Sequence, residues 1–130
     1  MIRIHIVEDH VVMRESIQHI LDDEADMEVC GASATGEEAL DHVIATRPDL
    51  VLIDVSLPGI DGVEVLTQLR TQRPDLVAVM LTGHTDAEHV NAAMHAGARA
   101  YLVKRDAYDL PDLVRRAARG ESFVTDGGEA

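Results

Sequence analysis

Short runs in which nearly every residue is apolar recur along the chain. They are Ile2–Val7 (IRIHIV), Met27–Ala32 (MEVCGA), Leu50–Ile53 (LVLI), Leu76–Leu81 (LVAVML) and Ala100–Val103 (AYLV). Most are β-branched and apolar at consecutive positions, as strands covered on both faces of a parallel sheet should be. Between them apolar residues return at helical spacing. Ile17, Ile20 and Leu21 form one stripe; Leu40, Val43 and Ile44 a second; Val63, Leu66 and Leu69 a third; Ala87, Val90 and Met94 a fourth. Leu110, Leu113, Val114, Ala117 and Ala118 give the cleanest one. The pattern predicts five strand–helix pairs, hence a parallel sheet with helices on both faces and right-handed crossovers.

Start and stop signals agree with that division. TGEE (Thr35–Glu38) and TDAE (Thr85–Glu88) read as capping boxes, a Thr hydroxyl and a Glu carboxylate each satisfying an orphan amide. Pro111 falls in a first helical turn, where its missing N–H costs nothing. Gly97 and Gly120 follow helix ends, and Pro48 and Pro74 stop helices just before strands. The last residues, TDGGEA, carry no apolar period and read as a linker or frayed tail.

Composition narrows the function classes. The chain has 130 residues, 46% of them apolar, which suits one globular domain. Aromatics are 2%, too few for stacking platforms under nucleic-acid bases. The net charge of −13 repels a phosphate backbone, so no direct nucleic-acid binding is expected. Solubility alone accounts for much of that charge; a sharper reading gathers some of the acids around a cation. Cys30 is the single cysteine, which excludes a disulfide framework and a thiolate zinc site. No run approaches membrane-spanning length and no signal peptide is visible, so a cytoplasmic location is expected.

Ligands of open α/β sheets bind outside the carboxyl ends of the strands. There the sequence places Glu8 and Asp9 after the first run, Asp54 after the third, Thr82 after the fourth and Lys104 after the fifth. The second run offers Ser33 and Thr35. Taken singly, each has a plain explanation as a turn former, a cap or a solvated cation. Together they put three carboxylates, a hydroxyl and an ammonium on one edge. Crowded carboxylates raise one another's pKa, a cost that a hard dication removes. Magnesium, which prefers few carboxylates and a phosphate partner, fits better than zinc, whose His/Cys spacing is lacking. His10 reads as a helix-start residue, and His5 inside the first strand has no explanation at this level. Lys104 is the one lysine among eleven cationic residues.

VEDH (Val7–His10), LIDVSLPGIDG (Leu52–Gly62), LTGH (Leu81–His84) and YLVK (Tyr101–Lys104) resemble, in order and spacing, the receiver domain of bacterial two-component response regulators. The resemblance covers Ile2 to about Gly120. It implies a doubly wound (βα)5 flavodoxin-like three-layer sandwich, with a five-stranded parallel sheet in order 2-1-3-4-5. Residues 1–120 would be the receiver and 121–130 a linker or tail. By resemblance, Asp54 accepts a phosphoryl group from a sensor histidine kinase. Mg2+ would be held by Glu8, Asp9, Asp54 and the Ser56 backbone carbonyl. Thr82 and Tyr101 would act as the switch pair, and Lys104 would bind the phosphoryl group. Ser56 and His84 would tune its hydrolysis.

Those roles suit the residue types. Phosphoryl transfer needs an in-line nucleophile and neutralised oxygens, with little covalent work for the protein. Three positions depart from the family pattern. Glu8 stands where an Asp is frequent, Leu57 where a Met is frequent, and Arg105 where proline usually follows the lysine in a cis peptide. A non-proline cis bond costs about 2.5–4 kcal/mol. VEDH, the non-proline after Lys104 and RRAARGESFVTD (Arg115–Asp126) look like receivers that precede a LuxR-type helix-turn-helix, implying transcription regulation and homodimerisation on phosphorylation. Arg115, Arg116 and Arg119 read either as a partner face or as cations favoured at a helix C-terminus. Two other classes compete: a stand-alone or phosphorylation-independent interaction module, and a magnesium phosphohydrolase. The latter usually carries a second Asp two residues after its nucleophile, where this chain has Ser56.

Overall fold

The computed structural model describes residues 1–83, 87–104 and 109–125. In chain order its elements are β1 (Ile2–Val7), α1 (Val11–Asp22), β2 (Met27–Ser33), α2 (Gly36–Thr46), β3 (Leu50–Asp54), α3 (Gly62–Gln72), β4 (Val77–Thr82), α4 (Ala87–His95), β5 (Ala100–Val103), α5 (Leu110–Ala118) and β6 (Phe123–Val124). The sheet runs β2-β1-β3-β4-β5-β6, and every neighbouring pair is parallel. The flavodoxin-like order 2-1-3-4-5 is therefore present with one correction: the sheet has six strands, not five. The sixth comes from Phe123–Val124, inside the 121–130 segment that the resemblance implies is linker or tail.

Alternation along the strands builds two cores. Ile4, Ile6, Leu50, Leu52, Val79, Leu81, Ala100 and Leu102 pack with Ile17, Leu21, Leu113 and Val114 of α1 and α5. The intervening residues Val7, Val51, Ile53, Ala78, Met80 and Tyr101 pack on the other face with Val43, Val65, Leu66 and Ala93. Both faces of β3 are covered, and all five of its residues are buried. That is why the central runs read as continuously apolar.

Helix ends follow the sequence signals with local differences. Thr35 caps α2, its Oγ1 accepting from Glu38 N at 3.1 Å. Glu38 reaches back to the amide of Ala34 (2.9 Å), one residue beyond the cap residue itself. The second capping box falls on Thr85, outside the described residues. Asp61 caps α3, accepting from Glu64 N at 2.9 Å. The next residue, Gly62, sits where a Cβ would lie 2.4 Å from the carbonyl oxygen of Asp54. Only glycine lets α3 start against the end of β3.

The arginines of α5 are engaged within the chain. Arg115 pairs with Asp26 and Asp112 (2.8 Å each) and with Glu24, tying α5 to the α1–β2 connection. Arg116 and Arg119 both reach Glu121, at 2.9 and 3.0 Å.

His5 also finds its explanation. It is fully buried, with Nε2 2.8 Å from Ser33 Oγ, which in turn lies 3.0 Å from His42 Nδ1. Its Nδ1 is buried without a hydrogen-bond partner. The consistent assignment has Nε2–H donating to Ser33 and the Ser33 hydroxyl donating to His42, which leaves Nδ1 a bare lone pair. Burial and the neighbouring His42 lower its pKa to about 4. Register makes the room: Ile4 pairs Val29 but His5 pairs Gly31, so a bulge passes over Cys30. A Cβ on Gly31 would lie 2.8 Å from His5 Nδ1.

Candidate functional site

The acid pair follows directly from the end of β1. The chain turns there because Glu8 N donates to Ser33 O (3.0 Å), and Arg14 of α1 donates to the Glu8 carbonyl (2.8 Å). Those bonds direct the Glu8 side chain inward, where it is fully buried, while Asp9 is exposed. His10 is the cap residue of α1 but makes no side-chain capping bond. Its amide instead donates to Glu8 Oε2 at 3.2 Å. Asp54 closes β3, paired in register with Leu81 of β4, and is 3% exposed. Thr82 closes β4 opposite Val103 of β5 and is buried. Tyr101 is fully buried two residues before Val103.

One oxygen of each carboxylate of Glu8, Asp9 and Asp54 lies within 4.8 Å of the others. Lys104 Nζ enters this group from the end of β5, 2.8 Å from Glu8 Oε1 and 3.3 Å from Asp54 Oδ2. The other Asp54 oxygen accepts from Ser56 N at 3.0 Å. The ends of β1, β3 and β5 thus come together here, Thr82 closes the neighbouring strand β4, and Ser56 sits beside the carboxylate it follows. His84 and Arg105, and with it the Lys104–Arg105 peptide, lie outside the described residues.

Electrostatics favour a cation here. Burial, then the hydrogen-bonding proximity of Asp54, push the Glu8 carboxyl up to about 7, against the pull of Lys104. Burial works against the Lys104 ammonium, yet Glu8 and Asp54 together hold its pKa above the usual value. Three carboxylates face one ammonium, leaving an all-oxygen donor set whose members lie within 4.8 Å of one another. Such a set suits a hard dication and not a thiophilic one. Beside Asp54 a cleft of about 230 Å³ is lined by Val55, Ser56, Asp61, Val63, Thr82 and His89. The sequence pattern does not single out His89. Its one signal is position, near the start of the helix that follows the Thr82 strand.

Comparison with known proteins identifies the family. The family model for the response regulator receiver domain matches residues 4–116. The response regulator protein VraR of Staphylococcus aureus (strain Mu3 / ATCC 700698) is 37% identical over 122 residues, covering 93% of this chain and 58% of that protein. The chain therefore spans little more than half the length of this curated relative. Among solved structures, a LuxR-family two-component response regulator from Aurantimonas sp. SI85-9A1 superposes with a TM-score of 0.90 at 27% identity, covering 95% of this chain and 89% of that one. The signal receiver domain of NarL from Mycobacterium tuberculosis gives 0.87 at 26% identity, with coverage of 92% and 98%. The match of the family model over most of the chain, on the fold and strand-end residues described above, places this chain in the response regulator receiver domain family.

Proposed function

We propose that this receiver domain accepts a phosphoryl group on Asp54 from the phosphohistidine of a sensor histidine kinase. The observation that carries the reading is the setting of Asp54: a buried carboxylate at the sheet's carboxyl edge, with Lys104 3.3 Å away and a cleft beside it. An Asp54 oxygen attacks phosphorus in line, the P–N bond breaks, and the imidazole leaves with the electron pair. Lys104 takes charge from a phosphoryl oxygen, and Ser56 N holds the other carboxylate oxygen so that the attacking one is presented.

Glu8, Asp9, Asp54 and the Ser56 carbonyl would hold Mg2+. When bound, the ion supplies charge neutralisation at the phosphoryl oxygens. Thr82 then donates to the new group, and Tyr101 moves with it. The outward signal is a shift between two packings biased by one local charge. Ser56 and His84 would set the lifetime of the phosphoryl group. The output fitting the LuxR-family relatives is DNA-binding transcription regulation by a following domain, with homodimerisation on phosphorylation and no nucleic-acid contact by these residues. A cytoplasmic site of action suits a kinase partner. Among the described residues no helix is long and apolar enough to cross a membrane.

Mass spectrometry after incubation with acetyl phosphate and Mg2+ tests this. Wild type should gain one phosphoryl group and Asp54→Asn none. No adduct on wild type would leave the phosphorylation-independent interaction module as the surviving reading.

A further inference from the structure

The segment after α5 is bonded to the strand that delivers Lys104. Phe123 N donates to Arg99 O (3.3 Å) and Thr125 N to Tyr101 O (2.9 Å). Val103 N donates to Thr125 Oγ1 (2.9 Å). β5 is therefore gripped on one side by β4, whose Thr82 pairs with Val103, and on the other by residues 123–125. Thr125 holds both Tyr101 and Val103, the residue adjoining Lys104.

The two grips differ in strength. β4 and β5 are covered on both faces, whereas β6 is two residues long and Val124 is 42% exposed. Phe123 is half-buried beneath the Arg116 guanidinium, 4.1 Å from the ring centre. Glu121 anchors the turn through Arg116 and Arg119. A short, partly exposed strand of this kind opens at far lower cost than the sheet it borders.

The site supplies the reason for opening. Lys104 Nζ stands 3.3 Å from Asp54 Oδ2 and 2.8 Å from Glu8 Oε1. A phosphoryl group on Asp54 cannot be inserted into a gap of hydrogen-bond length. Lys104 must withdraw to admit it, and Val103 is its covalent neighbour. Of the bonds that hold the backbone next to Lys104, those to Thr125 come from the shortest and most exposed strand, and hydrogen bonds weaken steeply as geometry departs from the optimum.

We propose that residues 121–125 form a releasable strand whose pairing with β5 is loosened when Asp54 carries a phosphoryl group, coupling the site directly to the chain that follows α5. The inference rests on the phosphoacceptor reading. Coupling free energies are reciprocal: if occupancy weakens the pairing by some factor, the pairing weakens occupancy by the same factor, so loosening the strand favours the occupied site up to that limit.

Beryllium fluoride with Mg2+ serves as the phosphoryl analogue on the 130-residue chain. Hydrogen exchange of a peptide spanning residues 121–125 should accelerate when the analogue is bound, while one from β3 should not. Thr125→Val removes the acceptor for Val103 N and should bind the analogue about fivefold tighter. Phe123→Ala should act in the same direction, guarding against a local effect of the valine. Analogue bound with exchange of residues 121–125 unchanged, or affinity unchanged in both variants, overturns this inference alone. No binding by wild type overturns it together with the phosphoacceptor reading.

Discussion

Replacing His5 by leucine should change the slope of stability against pH, and the two pKa shifts described above set the size of the change. His5 titrates at about 4 in the folded chain against 6.5 in an unfolded one. Its contribution is fully present above pH 6.5 and is lost as pH falls toward 4, because the unfolded chain takes up a proton that the buried ring refuses. Between pH 7 and 5 that loss is about 2 kcal/mol. Glu8 works in the opposite sense, its carboxyl being raised from 4.5 to about 7. Its contribution is fully present below pH 4.5 and is lost as pH rises through 7. Acidifying from pH 7 to 5 therefore returns about 2 kcal/mol. In wild type the two nearly cancel, and urea denaturation without divalent cations should give stabilities at pH 7 and 5 within about 1 kcal/mol. In His5→Leu only the Glu8 effect remains, so the variant should gain about 2 kcal/mol on the same acidification. Any fixed cost of the substitution drops out of this comparison, and Ser33 keeps His42 as its partner. Parallel pH profiles for the two proteins would refute the account of a buried, neutral His5.

Three further predictions bear on the site and its frame. Free Mg2+ at a hundred times its Kd should raise the unfolding free energy by about 2.7 kcal/mol, read as a higher Tm, and Asp9→Asn should reduce the effect at equal concentration. Gly62→Ala places a methyl 2.4 Å from the Asp54 carbonyl oxygen and 2.9 Å from Val55 Cα. It should cost about 1–3 kcal/mol in chemical denaturation and slow acetyl phosphate labelling, since the strand carrying the nucleophile must shift. Thr35→Ala removes the acceptor for Glu38 N and should cost about 1 kcal/mol while leaving labelling unchanged.

The strand ends were legible because two independent signals coincide there: a run of buried apolar residues stops, and a polar residue of the right chemistry follows. Asp54, Thr82 and Lys104 are each singled out that way, and register sets the ends of β3, β4 and β5 side by side. His5 was not legible because its partners are distant in sequence and one bulge decides which residue faces it. Without the register shift past Cys30, His5 would meet a side chain where Gly31 now leaves space. Ser33, which the sequence offers only as a polar residue after the second run, is the buried link between two imidazoles. β6 escaped notice because two residues cannot express a period. Its bonds come from the backbone of β5 and the hydroxyl of Thr125, which no apolar pattern records.

The bulge at Cys30 has a consequence for the outer boundary of the sheet. β2 is the terminal strand on that side, and a straight terminal strand is a template on which another chain can add itself. A second chain laid along Met27–Ser33 would meet a change of register halfway, and a bulge both twists the strand and interrupts its row of donors and acceptors. Glu28, paired with Arg3 in this half-open rim, adds charge where an intruding strand would need apolar contact. The inserted residue that makes room for an imidazole inside the protein thus also discourages self-association along its outside.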